Sequence, residues 1–262
     1  ASSRSEVIFL SNLLKGKSKL FGILHNLKKV NHSFSQKLIN KSIKRFFVLN
    51  DFLQNSIAPK DDTIKLQSFY PIFFPEYDTL LTKPEGEIWI SIPGKLDFGR
   101  RDYDLVSQAL EQTKSRTNLK ILILGSTNLS DERNKLFLEG IKARQLEENF
   151  VTFDTFLEND LFHAYIKQSD YILIPLDSVQ DNYSRYKIMG CYNLAFSYRK
   201  MLISPMGLNH IHDIHSHSLI YEGAQGLSRI FKKIIDGDPE YKTYSSKKWS
   251  FEEQKKRYID YL

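Results

Sequence analysis

Short apolar runs alternate with stretches of helical periodicity along almost the whole chain, and few architectures accommodate that alternation. The runs fall at 21–27, 45–50, 64–69, 87–92, 120–124, 149–153, 171–174, 201–203 and 218–221, and each reads as a strand. Between two of them Leu105, Val106, Ala109 and Leu110 share one helical face, and later Leu161, Phe162, Tyr165 and Ile166 do the same. Strands that alternate with helices form βαβ units and a parallel sheet. The expected class is therefore α/β, with Rossmann-like parallel sheets.

The best linker is the stretch at 70–86, YPIFFPEYDTLLTKPEG, which has three prolines and no clean period. It divides the chain into an incomplete amino-terminal α/β domain (1–78) and a complete second domain (79–246). The closing WSFEEQKKRYIDYL reads as a charged amphipathic helix (247–262). No apolar run reaches the ~20 residues of a membrane span, and the opening residues do not form a signal peptide. The single cysteine, Cys191, excludes an internal disulfide framework and fits a reducing, cytoplasmic setting.

Charge is unevenly spread. Residues 1–60 hold eleven Lys and Arg against Glu6 and Asp51, a net +9, whereas the whole chain carries +6. The front segment thus calls for an anionic partner. Phe34, Phe46 and Phe47 are interleaved with its cations, but they fall where α/β core elements need aromatics, and no RNA-binding motif accompanies them. Nucleic acid is not an expected partner.

In open parallel sheets, ligands bind beyond the carboxyl ends of the strands. After the run at 87–92 come Gly94, Lys95, Gly99, Arg100 and Arg101, where glycine lets the backbone approach a ligand and cations suit a phosphate. After 171–174 comes a polar loop with Tyr183, Ser184, Arg185, Lys187 and Gly190, leading into a helix whose amino end would add positive potential. Both loops have a plainer reading as solvated surface, and Asp102 in the first reads as a helix cap.

The strings IPGKLDFGRRDYDLVSQAL, LKILILG, ENFVTFDTFLENDLFHAYIKQSDYILIPL and YSRYKIMGCYNLAFSYRKMLIS, in that order, resemble the carboxyl domain of family 4 (group 1) glycosyltransferases. FGILHNL and IKRFFVLND resemble the last strands of that family's amino domain. The likeness spans nearly all 262 residues, with few identities, and is nearest to a divergent, capsule- or polysaccharide-type bacterial branch. It implies the two-domain GT-B architecture and transfer of a sugar from a nucleotide diphosphate sugar to a glycan or lipid-linked acceptor. Metal and organic cofactors have no part in that scheme, and the anomeric configuration is retained.

By the same resemblance, Lys95 and Arg101 match the paired cations on the diphosphate, beside Gly94. Phe156 and Leu157 match the loop against the base. Tyr183, Ser184, Arg185, Lys187 and Gly190 complete the cradle, and His25 follows the strand that faces the acceptor. Two glutamates separated by seven residues are usual in the family, but here Arg185 and Asn193 stand near those places. Asn193 can still hydrogen-bond a ribose hydroxyl. The change leaves open a second reading, a non-catalytic nucleotide-sugar-binding module. Lipid-linked acceptors and the cationic front segment together suggest peripheral membrane contact through residues 1–60.

One other cluster competes. Asn209–His217 reads NHIHDIHSH; if extended, it would pair His210 with His212 and His215 with His217 on common faces. Zinc binding is conceivable for such a cluster, but a surface loop of neutral histidines is the expected reading, with no metal site.

Overall fold

Ile, Leu, Val and aromatic residues fit a pleated surface covered by helices, and a strand forms at each of the nine apolar runs. The computed structural model describes residues 4–114, 116–176, 182–238, 242 and 244–262. The described residues form two compact units: one comprises 4–71, 182–189 and 246–262, the other 72–176 and 190–245.

In the first unit, β1 (Phe21–Leu24), β2 (Arg45–Val48) and β3 (Lys65–Ser68) pair in parallel in that order. Helices α1 (Arg4–Leu13), α2 (Lys29–His32), α3 (Phe34–Asn40) and α4 (Asp51–Ser56) accompany them. Leu24, Val30, Ile39, Phe46, Val48 and Leu53 bury one core. Ser33 and Asn50 start α3 and α4 by accepting from Gln36 N and Leu53 N, replacing partners that a helix amino end lacks.

The closing helix (Phe251–Ile259) belongs to the same unit. Its Tyr258 stacks on Phe47 with ring centroids 4.7 Å apart, and Tyr261 meets that ring edge-on at 5.0 Å. Asp51 anchors it, with Lys248 Nζ at 2.7 Å, Arg257 Nη1 at 3.0 Å and the Ser68 hydroxyl donating at 2.5 Å. Burial alone would raise the Asp51 pKa, but the bonds from Lys248 and Ser68 and the nearby charges of Lys248 and Arg257 hold it below the ordinary carboxylate value. Gln254, also buried, accepts from Tyr70 N at 2.8 Å.

The sequence reading puts residues 182–189 within the second domain; the structure gives them to the first unit. A π-helical turn, Asn182–Tyr186, presents the Tyr186 carbonyl to Leu27 N at 2.9 Å, and Ile188 packs against the first core. A backbone bond and a partly buried aliphatic side chain decide the matter, and neither has a periodicity that could announce it.

The second unit runs β4 (Ile88–Pro93), α5 (Tyr103–Glu111), β5 (Leu119–Ser126), α6 (Glu132–Ala143), β6 (Phe150–Phe153), α7 (Asn159–Gln168) and β7 (Tyr171–Leu173). It continues with α8 (Gly190–Tyr198), β8 (Met201–Pro205), α9 (His212–His215), β9 (Ser218–Tyr221) and α10 (Gly223–Ile235). All six strands are parallel, in the order β6-β5-β4-β7-β8-β9. Ile90, Ile92, Ile121 and Ile123 of the central strands meet Val106, Leu110, Leu227 and Phe231 of α5 and α10 in one core.

The proline-rich stretch at 70–86 carries neither helix nor strand, and from Ile72 onward it belongs to the second unit. Phe74 and Tyr77 flank His163 with ring centroids at 4.8 and 4.9 Å, and Thr79 donates to Asp160 at 2.8 Å. His163 Nδ1 lies 2.8 Å from the Tyr198 hydroxyl, and burial lowers its pKa.

Candidate functional site

Strand order fixes where the second unit can hold a ligand. The chain enters the sheet at β4, builds outward to β6, then returns to the other side of β4 with β7. At such a reversal the two following connections leave in opposite directions and open a crevice beyond the strand carboxyl ends. Helices that return the chain to a parallel strand run against it, so the amino ends of α5 and α8 stand at this same end, where positive potential collects.

The loop leaving β4 is closely built. Gly94 has φ +105°, a conformation that side chains rarely adopt. Its amide donates to Leu124 O at 3.0 Å, and Leu96 N donates to Ser126 O at 3.3 Å, tying the loop to the end of β5. A Cβ on Gly125 would stand 2.6 Å from the Gly94 carbonyl carbon and closer still to Lys95 N, so only glycine fits there.

Arg101 lies across Gly94. Its Nη1 donates to Lys95 O at 3.2 Å and its Nη2 to Pro93 O. The Tyr103 hydroxyl, buried, donates to the same Lys95 carbonyl at 3.1 Å; burial raises its pKa while the adjacent guanidinium lowers it. Asp102 caps α5 by accepting from Leu105 N at 2.9 Å, and its own amide reaches Pro175 O at 2.8 Å, joining the loop to the exit of β7. Lys95, by contrast, is exposed and its ammonium has no polar partner among the described residues.

Gly190 and Cys191 open α8, which packs on β4, β7 and β8. Burial pushes the Cys191 thiol up to about 12, with Arg101 acting against the shift, so the thiol is inert. One turn further, Asn193 is only 7% exposed and its Oδ1 has no hydrogen-bond partner among the described residues. An unmatched buried amide costs about 1–3 kcal/mol, which a bound polar group would remove.

Sequence reasoning missed Tyr221. From the end of β9 its hydroxyl accepts from Leu176 N at 2.9 Å and sits 2.7 and 2.9 Å from the carbonyls of Ile174 and Leu176. It fixes the backbone that leaves β7. A tyrosine at the close of an apolar run was the one available signal.

Lys95, Arg101, Gly94, Gly190 and Asn193 therefore share one end of the six-stranded sheet. Phe156 and Leu157 follow β6, two strands from β4 (about 10 Å); Leu157 is buried and Phe156 is 70% exposed. Residues 177–181 of the loop after β7 lie outside the described residues.

His25, Tyr183, Ser184, Arg185 and Lys187 belong to the first unit. His25 is exposed just past β1, and Arg185 is exposed in the π-turn, of which Ser184 also forms part. Lys187 Nζ stands 5.9 Å from the Tyr183 ring centroid.

The histidine-rich segment is helical at α9, which overturns the extended spacing. His210, His212 and His215 are exposed, and His217 is buried against Tyr244 at 4.1 Å. Among the described residues no group of three or more His, Cys, Asp or Glu is placed to hold a metal ion.

No family model matches the chain, and no curated protein matches it. Solved structures do. Anabaena HepE, in complex with UDP, superposes with a TM-score of 0.65 at 12% identity, covering 92% of this chain and 69% of HepE. Sucrose-phosphate synthase from Thermosynechococcus elongatus gives 0.56 at 10% identity, over 92% of this chain and 63% of the synthase. The N-terminal domain of Candida albicans trehalose-6-phosphate phosphatase gives 0.54 at 11%, over 97% and 65%. The chain has the GT-B fold, and its structural neighbours include GT-B glycosyltransferases.

Proposed function

We propose that the chain is a glycosyltransferase that accepts a sugar from a nucleoside diphosphate donor and passes it to a glycan or lipid-linked acceptor in bacterial polysaccharide synthesis, on the cytoplasmic side. One observation carries the reading. Two helix amino ends, an exposed ammonium and an unmatched buried amide stand where the strand order reverses, in a fold shared with a UDP-bound protein.

As the nucleoside diphosphate departs, negative charge grows on its phosphate oxygens. Fixed dipoles and cations stabilise that charge without reorganising. Lys95 is free to follow the oxygens, whereas Arg101 contributes its charge and holds the loop in shape. Asn193 offers a partner to a phosphate or ribose hydroxyl, and Phe156 offers an aromatic face to the base. His25, Tyr183, Ser184, Arg185 and Lys187 are assigned to substrate binding from the first unit, which the GT-B plan gives to the acceptor. No metal or organic cofactor enters the scheme, and retention at the anomeric carbon follows from the family 4 resemblance.

Calorimetry with UDP and GDP tests the donor site. A charge-assisted bond of ~1.5–3 kcal/mol lost in Lys95→Ala should weaken nucleoside diphosphate binding by about tenfold or more. Unchanged affinity discards the assignment. A donor-turnover assay with acceptor then separates the enzyme from a second reading, a non-catalytic nucleotide-sugar binder. Arg185 and Asn193 in place of the family's glutamates favour that reading, and the same fold occurs in a domain of a protein named as a phosphatase. Tight UDP binding without turnover would select it.

A further inference from the structure

We propose that Tyr103 and Tyr221 are positioning residues of the crevice at the strand reversal: their buried hydroxyls set the backbone of its two walls, and through it the affinity for a nucleoside diphosphate. The inference rests on the donor-site reading above and adds to it two groups that touch no ligand. Both rings lie in the core of the second unit, where Tyr103 is fully buried and Tyr221 is 2% exposed. Phenylalanine would fill the same space. A hydroxyl taken into a core costs free energy unless it is hydrogen-bonded, so the partners of these two hydroxyls are informative.

Each hydroxyl meets the chain just after a strand has ended. β4 ends at Pro93, and the Tyr103 hydroxyl donates to Lys95 O at 3.1 Å, where Arg101 Nη1 also donates at 3.2 Å. β7 ends at Leu173, and the Tyr221 hydroxyl holds the segment beyond it, accepting from Leu176 N at 2.9 Å and donating to Ile174 O at 2.7 Å. β9 lies two strands from β7, so this ring reaches across the end of β8. The two walls are themselves joined, Asp102 N to Pro175 O at 2.8 Å. Within the sheet, strand pairing holds the backbone in place. Past its end these hydroxyls take over, one for each strand that flanks the reversal. β4 and β7 are paired neighbours, so the separation of their exits sets the width of the crevice. Lys95 stands on the wall that Tyr103 holds, with its side chain exposed. A backbone free to tilt there would spread the ammonium over many directions, and that freedom would have to be lost on binding a phosphate.

Calorimetry with UDP and GDP on the full chain tests this, at a temperature well below every denaturation midpoint. Tyr103→Phe and Tyr221→Phe should each weaken nucleoside diphosphate binding about fivefold, the equivalent of one net hydrogen bond. Tyr198→Phe, which removes a hydroxyl bonded to His163 at the far end of α8, should bind at native affinity. A hydroxyl that served stability alone would lower the midpoint and leave the affinity of the folded protein unchanged. Because Tyr103 acts through Lys95, Tyr103→Phe should cost less than about twofold more in a Lys95→Ala background. Amide exchange supplies a reading free of ligand: Leu176 should exchange faster in Tyr221→Phe, while Ile172 within β7 keeps its native protection. Native affinity in both phenylalanine variants beside a weakened Lys95→Ala would overturn this proposal alone. So would an equal loss from Tyr198→Phe, full additivity of the Tyr103 and Lys95 changes, or native exchange at Leu176. A native chain that binds neither UDP nor GDP would overturn the donor reading as well.

Discussion

Two cationic loops look alike in the sequence and end differently in the fold. The loop at 94–102 and the segment at 182–189 each follow an apolar run, each carry Arg and Lys, and each lead toward a helix. The first is tied to its own sheet by backbone bonds to β5 and to the segment just past β7, with Arg101 bonded to carbonyls at Pro93 and Lys95 and the Lys95 side chain left exposed. The second is bonded to Leu27 of the other unit and carries Ile188 into that unit's core. Cations suit an anionic ligand best where the backbone beneath them is fixed and helix ends and strand ends meet. Residue type does not supply that condition.

The largest expected break in this comparison is Gly125→Ala. The added Cβ would press on backbone atoms of Gly94 and Lys95, which cannot swing aside as a side chain can. Overpacking of this kind costs ~1–3 kcal/mol or more, so the denaturation midpoint should fall and nucleoside diphosphate binding should disappear with it. Retained binding at native affinity would show that the geometry of the 94–102 loop is irrelevant to the ligand.

Three single substitutions separate shape from charge and one loop from the other. Arg101→Ala removes two bonds to loop carbonyls and should lower stability by about 1–2 kcal/mol as well as affinity. Lys95→Ala should lower affinity alone. Arg185→Ala, on the π-turn, should leave UDP affinity within about twofold if the second unit holds the diphosphate. A large loss from Arg185 with none from Lys95 would reverse the ranking of the two loops.

Asp51→Asn probes the first unit by itself. The carboxylate faces Lys248, Arg257 and Ser68, and losing its charge should loosen the closing helix by about 1–2 kcal/mol in urea unfolding. Because the Asp51 pKa is held below its ordinary value, the stabilisation is present above the unfolded pKa and lost as pH falls through the folded one. The variant should flatten that acid limb; an unchanged limb would mean that the cluster contributes nothing.

The smallest effect belongs to His163 in the second unit. Its pKa is lowered by burial, so the unfolded chain binds the proton more readily. The stabilisation is full above the unfolded value of ~6.5 and falls as pH drops below it. His163→Gln should remove this pH dependence, readable as thermal midpoints across that window. A slope that persists in the variant would point to other groups.

The sequence by itself determined the class of the fold and the place of each strand, because apolar periodicity is set locally and a run of Ile, Leu and Val has few other uses. Asp102 as a helix cap was legible for the same reason: the accepting side chain and the donating Leu105 amide are three residues apart. Gly94 was singled out as a place where the backbone could approach a ligand, and its positive φ came only with the fold. What only the tertiary structure decided involves partners far apart in the chain. Asp51 meets Lys248 and Arg257, Tyr221 holds the exit of β7, and Tyr186 is bonded to Leu27. The assignment of Arg101 to its own loop and of Lys95 to solvent belongs to the same group, because both are cations in the same seven residues. Their roles differ through the direction each side chain takes from a folded backbone, and one-dimensional pattern carries no record of direction.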